Sequence, residues 1–112
     1  MQEIEIHEIK VGDGVEVKKG ALVFLNFIGK LESGKIFDST EIHGRPFECV
    51  VGSKKIIQGM SFGLMGMKVG GIRKIKIPSH LAYGERSIGT HIPANSNLLF
   101  EVELLEARNR ES

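Results

Sequence analysis

Hydrophobic and polar residues alternate with a period of two along most of the chain, and this pattern predicts β-strands. The clearest example is residues 98–104, where four apolar side chains face one way and Glu101 and Glu103 face the other. Similar patterns predict earlier strands at residues 4–9, 35–37, 47–51 and 73–77, and an apolar run at residues 22–28, broken only by Asn26, predicts one more. Strands therefore dominate the expected structure.

One segment departs from this period. In residues 57–67 the apolar side chains are separated by three, four and three positions, which is the spacing of one face of a helix. Glycines within the segment each weaken such a helix by up to about 1 kcal/mol relative to alanine. The pattern predicts a short helix that depends on tertiary packing and whose glycines let it lie close to a sheet.

Residues 78–97 follow neither period and contain two prolines and two glycines. An irregular stretch of this length is uncommon inside a compact domain and is usually functional. Several strands, one short helix and further strands in succession are typical of the α+β class. No internal repeat or linker divides the chain, so residues 1–112 are expected to form one domain.

Composition and charge exclude several classes of protein. Lysine and arginine number 15, and aspartate and glutamate 14, so a net charge of +1 gives no general attraction for nucleic acid or anionic lipid. The single cysteine, Cys49, excludes an internal disulfide, and no apolar run reaches the roughly 20 residues that span a bilayer. The acidic N-terminal residues are unlike a signal peptide. We therefore expect a cytoplasmic protein that binds neither nucleic acid nor membranes.

Motifs of nucleophilic, phosphate-binding and metal-dependent enzymes are absent from the sequence. The four histidines lack the short spacing of metal ligands, so no metal site is predicted. Cys49 shares one strand face with Phe47 and Val51 and is interpreted as a core residue. Three basic residues, Arg73, Lys74 and Lys76, are interpreted as a solvated face. Asp38, at a strand end, is typical of a residue that caps a turn. The pattern by itself supports a small antiparallel domain with an apolar, aromatic-rich pocket.

Four short motifs occur in order along nearly the whole chain. They are Gly-Lys-Ile-Phe-Asp-Ser-Thr at 34–40, Arg-Pro-Phe at 45–47 with Ile-Ile-Gln-Gly at 56–59, Pro-Ser-His-Leu-Ala-Tyr-Gly at 78–84, and Ile-Pro-Ala-Asn at 92–95 with Leu-Leu-Phe-Glu-Val-Glu-Leu-Leu at 98–105. Any one of them could arise by chance. Together, at matching spacing, they resemble the FKBP-type peptidyl-prolyl cis-trans isomerases.

The resemblance implies an α+β fold in which a twisted antiparallel sheet of about five strands wraps around one short α-helix, with a ligand pocket between them. It implies catalytic roles for Asp38, Tyr83, Phe37 and Phe100, and substrate-binding roles for a second set: Phe27, His43, Phe47, Ile56, Ile57, Met60, Ile88 and Ile92. In the family, the backbone N–H at the Ile57 position and the hydroxyl at the Tyr83 position hydrogen-bond the ligand.

The resemblance also implies an activity and partners. We expect a monomeric isomerase of X-Pro bonds in peptides and in unfolded or flexible protein segments, which assists protein folding and needs no cofactor. The expected partners are proline-containing peptides and client proteins, together with macrolide inhibitors such as tacrolimus or rapamycin.

Four positions depart from the family's pattern. Met60 stands where the family has a tryptophan, Phe27 where it has a tyrosine, and His43 and Ile88 where an arginine and a histidine are common. These changes predict reduced activity and weakened macrolide affinity, since methionine fills space less rigidly than a ring. They leave open an alternative, a non-catalytic FKBP-like module that binds proline-containing or hydrophobic peptides. A chaperone acting through a large insertion is disfavoured, because the loop after Tyr83 is short.

Overall fold

The alternating segments assemble into one antiparallel sheet in the computed structural model, which describes residues 3–110. In chain order the elements are β1 (Glu5–Lys10), β2 (Leu22–Leu31), β3 (Ile36–Ser39), α1 (Thr40–His43), β4 (Phe47–Val50), α2 (Gln58–Leu64), β5 (Ile72–Ile77), a 3₁₀ turn (Ser79–Leu81) and β6 (Leu98–Arg108). The predicted α+β class is confirmed. Within the described residues the sheet has six strands, one more than the resemblance implied.

The sheet is built on β2. Along one edge β2 pairs with β6 over its whole length, from Leu22 opposite Arg108 to Leu31 opposite Leu98. Along the other edge its first half pairs with β4 and its second half with β3. The strand order is β1–β5–β6–β2–β3, and β4 lies in line with β3 beside β2. Because two short strands share one edge, six strands occupy the width of five.

The inner face of the sheet packs against α2 and forms the hydrophobic core. The alternation predicted for the last strand is confirmed, since Leu98, Phe100, Val102 and Leu104 are between 0 and 7% exposed. In contrast, all six residues of β1 are exposed, at the edge of the sheet beside β5. The first strand therefore extends the sheet but buries little apolar surface.

The α2 helix is shorter than the helix predicted for residues 57–67. It ends after Leu64, because Met65 leaves the helical conformation and Gly66 adopts a φ of +79°. The predicted apolar face is confirmed, since Met60 and Leu64 are both buried. Among the helices of the described residues, none has the length and hydrophobicity that crossing a membrane would require.

Two glycines allow α2 to lie directly against β5. A Cβ atom placed on Gly63 would be 2.6 Å from Cγ2 of Ile75, and one placed on Gly59 would overlap the side chain of Ile77. Both isoleucines are fully buried, so neither has space into which it can move. The prediction that the helical glycines permit a close approach to the sheet is confirmed.

Arg73 is buried, so the prediction that it belongs to a solvated basic face is wrong. Its Nη1 atom donates to the carbonyl oxygens of Gly63 at 2.8 Å and Met65 at 2.9 Å, at the C-terminal end of α2. Its Nε and Nη2 atoms bind the carboxylate of Glu8 in β1. The last carbonyls of a helix lack partners within the helix. One guanidinium therefore satisfies two of them and joins α2 to both β5 and β1.

Replacing Gly63 with alanine is expected to lower the free energy of unfolding by about 1–2 kcal/mol. The added methyl group must displace Ile75 in a close-packed core, and this outweighs the better helix propensity of alanine. Urea denaturation followed by circular dichroism measures the change. Gln58→Ala, in the exposed first turn of the same helix, is the matched control and should alter stability by less than about 0.5 kcal/mol. Unchanged stability in Gly63→Ala would contradict the close approach.

Candidate active site

A cavity of about 900 Å³ opens between α2 and the inner face of the sheet. Nine of the twelve side chains assigned to a site from the sequence line it: Phe27, Phe37, Asp38, Phe47, Ile56, Ile57, Met60, Tyr83 and Phe100. They come from four strands, from α2 and the segment before it, and from the loop after the 3₁₀ turn. The fold therefore brings residues that are far apart in sequence into one volume.

Four phenylalanine rings form one wall of the cavity, and each comes from a different strand. Phe27 of β2 contacts Phe47 of β4 edge-to-face, with ring centroids 5.7 Å apart, and contacts Phe100 of β6 at 5.8 Å. Phe37 of β3 meets Phe100 edge-to-face at 5.6 Å. Such pairs contribute about 0.5–1.5 kcal/mol each beyond the area they bury. The rings therefore hold one another in place and present a fixed apolar surface.

Gly29 of β2 lies beneath this wall, and the sequence pattern does not single it out. A Cβ atom on Gly29 would be 2.6 Å from Cζ of Phe37 and 3.0 Å from Cε1 of Phe100. The absent side chain thus makes room for two of the four rings. A glycine within a strand is a signal of such a close approach, but the strand predicted from the pattern ended one residue earlier, at Ile28.

Asp38 is held by the turn that follows it and by His43. Its Oδ1 atom accepts a hydrogen bond from the Ser39 N–H and lies 2.9 Å from Nε2 of His43. The single turn of α1 brings His43 back beside Asp38, and Ser39 caps this helix by accepting from the N–H of Ile42 at 3.2 Å. The predicted capped turn is therefore present, but its N-cap is Ser39, and the pattern did not predict α1.

Two of the predicted site residues carry a hydrogen-bond donor that is free within the described residues. Neither the N–H of Ile57 nor the hydroxyl of Tyr83 has an acceptor among residues 3–110, and both residues line the cavity. Burial raises the pKa of the Tyr83 hydroxyl above its ordinary value, and the negative charge of Asp38 raises it further. The phenol is therefore protonated and able to donate throughout the neutral pH range.

Three of the predicted site residues do not line the cavity. His43 is linked to it through Asp38. Ile92 is buried in the core, and Ile88 lies in the loop after Tyr83, where its backbone pairs with that of Ile92. These two isoleucines belong to an irregular segment, in which no period along the sequence shows where a side chain will lie.

Other residues line the cavity without having been predicted from the sequence: Lys19, Gly52, Ser53, Lys54, Lys55, Gln58, Ser61, Phe62 and Ala82. Most of them belong to α2 or to the segment that leads into it. Ser61 fixes this segment, because its hydroxyl accepts a hydrogen bond from the Gly52 N–H at 2.8 Å. The exceptions are Lys19, which precedes β2, and Ala82, which directly precedes Tyr83 in the loop after the 3₁₀ turn.

Cys49 is buried in β4, as predicted for a core residue. Burial raises the pKa of its thiol to about 11, with a smaller contribution from the charge of Glu48. Since the thiolate is the nucleophilic form, this thiol is unreactive at neutral pH. The described part of the chain contains no group of three or more side chains placed to hold a metal ion. What the cavity itself offers is aromatic rings, the free donors of Ile57 and Tyr83, three lysines, and Asp38, which His43 contacts.

Residues 14–105 match the family model described as FKBP-type peptidyl-prolyl cis-trans isomerase. The chain belongs to this family. FK506-binding protein 4 of Chaetomium thermophilum is 47% identical to it over 108 residues, which cover 96% of this FKBP chain and 22% of that protein. A peptidyl-prolyl cis-trans isomerase of Saccharomyces cerevisiae is 43% identical over 106 residues, covering 95% of this chain and 25% of that protein. The chain thus spans about a fifth to a quarter of the length of these relatives.

A solved structure of the FKBP family has the same fold. The crystal structure of AtFKBP13 matches this chain with a TM-score of 0.87 at 35% sequence identity, and the match covers 94% of this chain and 93% of that one. The predicted arrangement of an antiparallel sheet around one short helix is therefore confirmed.

The pKa of Tyr83 tests the geometry of the FKBP cavity. Tyr83 is the only tyrosine and the chain contains no tryptophan, so the ultraviolet absorbance of phenolate reports a single group. We expect a pKa above 10.0 in the parent protein, and a lower value in Asp38→Asn that still exceeds 10.0, because burial is the larger cause of the shift. Tyr83→Phe provides the blank. A value at or below 10.0 in the parent would contradict the burial of the hydroxyl.

Proposed function

We propose that this protein is a peptidyl-prolyl cis-trans isomerase that acts on X-Pro bonds in peptides and in unfolded or flexible protein segments, and so assists protein folding. The observation that carries the proposal is the aromatic cavity in which the N–H of Ile57 and the hydroxyl of Tyr83 are free to donate. Membership of the FKBP family, and a relative named peptidyl-prolyl cis-trans isomerase, support it.

The chemistry of the reaction suits such a cavity. Rotation about the bond must overcome about 18–20 kcal/mol, because resonance gives it partial double-bond character. Resonance is lost in the twisted transition state, where the amide is less polar than in its planar forms. An apolar cavity can therefore bind the twisted amide more tightly than the planar one, and each tenfold acceleration requires about 1.4 kcal/mol of this difference. The reaction needs no nucleophile and no proton transfer.

Each part of the cavity has a role in this mechanism. The aromatic wall and Met60 hold the proline ring, and Phe37 packs against the amide that rotates. The Ile57 N–H and the Tyr83 hydroxyl donate to carbonyl groups of the substrate, which fixes the chain on either side of the rotating bond. Burial raises the pKa of the Tyr83 hydroxyl, and the negative charge of Asp38 beside the cavity raises it further. His43 acts through Asp38, and Ile56 completes the apolar lining of the cavity.

The proposal extends to location, assembly and inhibitors. We place the protein in the cytoplasm as a monomer whose partners are proline-containing peptides and client proteins. Several relatives are named FK506-binding proteins, and we propose that this cavity binds tacrolimus and rapamycin with weakened affinity. The reasons are that Met60 is a flexible side chain on the cavity floor and that Phe27 has no hydroxyl to donate to Asp38.

A non-catalytic peptide-binding module is the second candidate, and Met60 is the residue that favours it. A flexible floor adapts to planar and twisted amides alike. Binding both forms equally gives affinity without acceleration. The two candidates therefore differ in rate rather than in the occupant of the cavity.

Phe27→Leu and Tyr83→Phe are each expected to lower kcat/KM for cis-trans exchange of a Leu-Pro peptide by about two- to tenfold. The first removes aromatic packing and the second a hydrogen bond, each worth about 0.5–1.5 kcal/mol. Exchange spectroscopy by NMR measures the rate. Phe24→Leu is the matched control and should leave the rate unchanged, because Phe24 lies on the outer face of the same strand beneath Arg108.

The exchange rate of the parent protein separates the two candidates, and Met60→Trp tests the role of the cavity floor. A rigid ring on the floor should raise the exchange rate of an active enzyme whose floor is too flexible. If the parent protein binds the peptide but does not accelerate exchange even at high protein concentration, it is a binding module and the isomerase proposal is wrong.

A further inference from the structure

Three lysines lie at the cavity mouth where the aromatic wall ends. Lys54 and Lys55 belong to the segment that leads into α2, and Lys19 to the segment before β2. We refer to these three as the lysine rim. Asp38 is the one acidic residue among those that line the described cavity, and His43 already engages it. No lysine of the rim forms an ion pair with any residue of the described range 3–110.

The backbone that carries the lysine rim is fixed. The N–H of Gly52 donates to Ser61 of α2 at 2.8 Å, and the N–H of Val51 donates to the carbonyl of Ala21 at 2.9 Å. The aliphatic part of Lys19 lies beside Gly52, where a Cβ atom would be 3.4 Å from its Cγ. The three ammonium groups are therefore presented from well-anchored segments around one opening.

The lysine rim is a local excess of charge in a nearly neutral chain. The net charge of the whole protein is only +1. Acidic side chains gather elsewhere, at a hollow of about 620 Å³ on the outer face of the sheet that is lined by Glu41, Glu101 and Glu103, together with Arg45. The lining of the proposed substrate cavity thus carries three lysines and one acidic residue, Asp38.

We propose that the lysine rim selects X-Pro substrates with an acidic residue close to the proline, and that Lys19, Lys54 and Lys55 determine this specificity. The inference rests on the isomerase function proposed above. A peptide whose proline fills the cavity and whose carbonyl bonds to the Ile57 N–H places its flanking residues at the mouth, beside Lys54 and Lys55. A carboxylate there meets unpaired ammonium groups, which speeds capture and slows release, whereas a lysine is repelled.

Three capped peptides of sequence Ala-Xaa-Leu-Pro-Phe-Xaa-Ala, with Xaa as glutamate, glutamine or lysine, test the proposal. Exchange spectroscopy at low ionic strength is expected to give kcat/KM in the order glutamate, glutamine, lysine, with about three- to tenfold between the extremes. The difference should shrink in about 0.5 M salt, because exposed charges are then screened. Equal values for the glutamate and lysine peptides at low salt would overturn the proposal.

Charge reversal locates the effect. Lys54→Glu combined with Lys55→Glu is expected to reverse the order of the three peptides. Lys10→Glu combined with Lys35→Glu changes the net charge equally, at exposed positions that do not line the cavity, and should preserve the parent order. If the rim variant keeps the parent order, the lysines do not determine specificity and the proposal is wrong.

Failure of the isomerase function would give a different result. If the peptides bind and none is isomerised, the proposed function is wrong, and Kd values from NMR titration of the same peptides then test the lysine rim alone. Tighter binding of the glutamate peptide than of the lysine peptide would support selection by the rim. Equal Kd values would overturn it.

Discussion

The depth of the cavity depends on the close packing of α2 against β5. At this contact α2 contributes glycines, which place no side-chain atoms between the helix and the strand. Gly59 and Gly63 leave the space that Ile77 and Ile75 occupy, and Arg73 binds the carbonyls at the end of the helix. At this short separation Met60 of α2 forms the cavity floor beside the aromatic wall. The free N–H of Ile57, the N-cap of α2, lies at the opening. A methyl group at either glycine would separate floor and wall, so the site depends on a packing contact outside the cavity.

The same principle shapes the aromatic wall. Gly29 has no side chain at the point where Phe37 and Phe100 cross β2, and the two rings rest on the strand itself. Protein interiors are close-packed, so an open cavity persists only where the residues behind it have no freedom to fill it. Here that rigidity comes from the edge-to-face contacts between the phenylalanine rings, two of which pack directly on the backbone of β2 at Gly29. The apolar site therefore owes its shape to absent side chains as much as to present ones.

Strand positions could be predicted from the sequence because burial of one face imposes a period of two, as β6 shows most plainly. The end of α2 could not, because it is set by the backbone conformation of Gly66, at a position where the apolar spacing still continues. Arg73, Ile75 and Ile77 are two residues apart and therefore share the buried face of β5. Its neighbours in sequence, Lys74 and Lys76, are exposed, and grouping Arg73 with them led to the wrong prediction. A buried charge needs partners from elsewhere in the chain, and a local pattern does not contain them.

The candidate site divides in the same way. Phe27, Phe37, Phe47, Met60 and Phe100 reached the cavity from strands and α2, whose period fixes the direction of each side chain. In the irregular segment 78–97 no period does so, and the resemblance alone supplied the positions: Tyr83 reached the cavity, whereas Ile88 and Ile92 did not. The lysine rim carries no signal at all in the sequence, since exposed lysines are compatible with any surface. Only the fold shows that Lys19 lies beside the segment of Lys54 and Lys55.

The placement of β2 has a consequence for how the chain acquires its structure. Residues 22–31 complete their pairing only with residues 98–108, so the central ladder joins an early segment to a late one. Contacts so distant in sequence must close a large loop before they contribute, which makes folding slow relative to helical proteins of this size. On the ribosome, β2 must wait for β6 to emerge before it gains its longest partner. Until then only β3 and β4 are available to pair with β2, and both lie on its other edge in the folded protein.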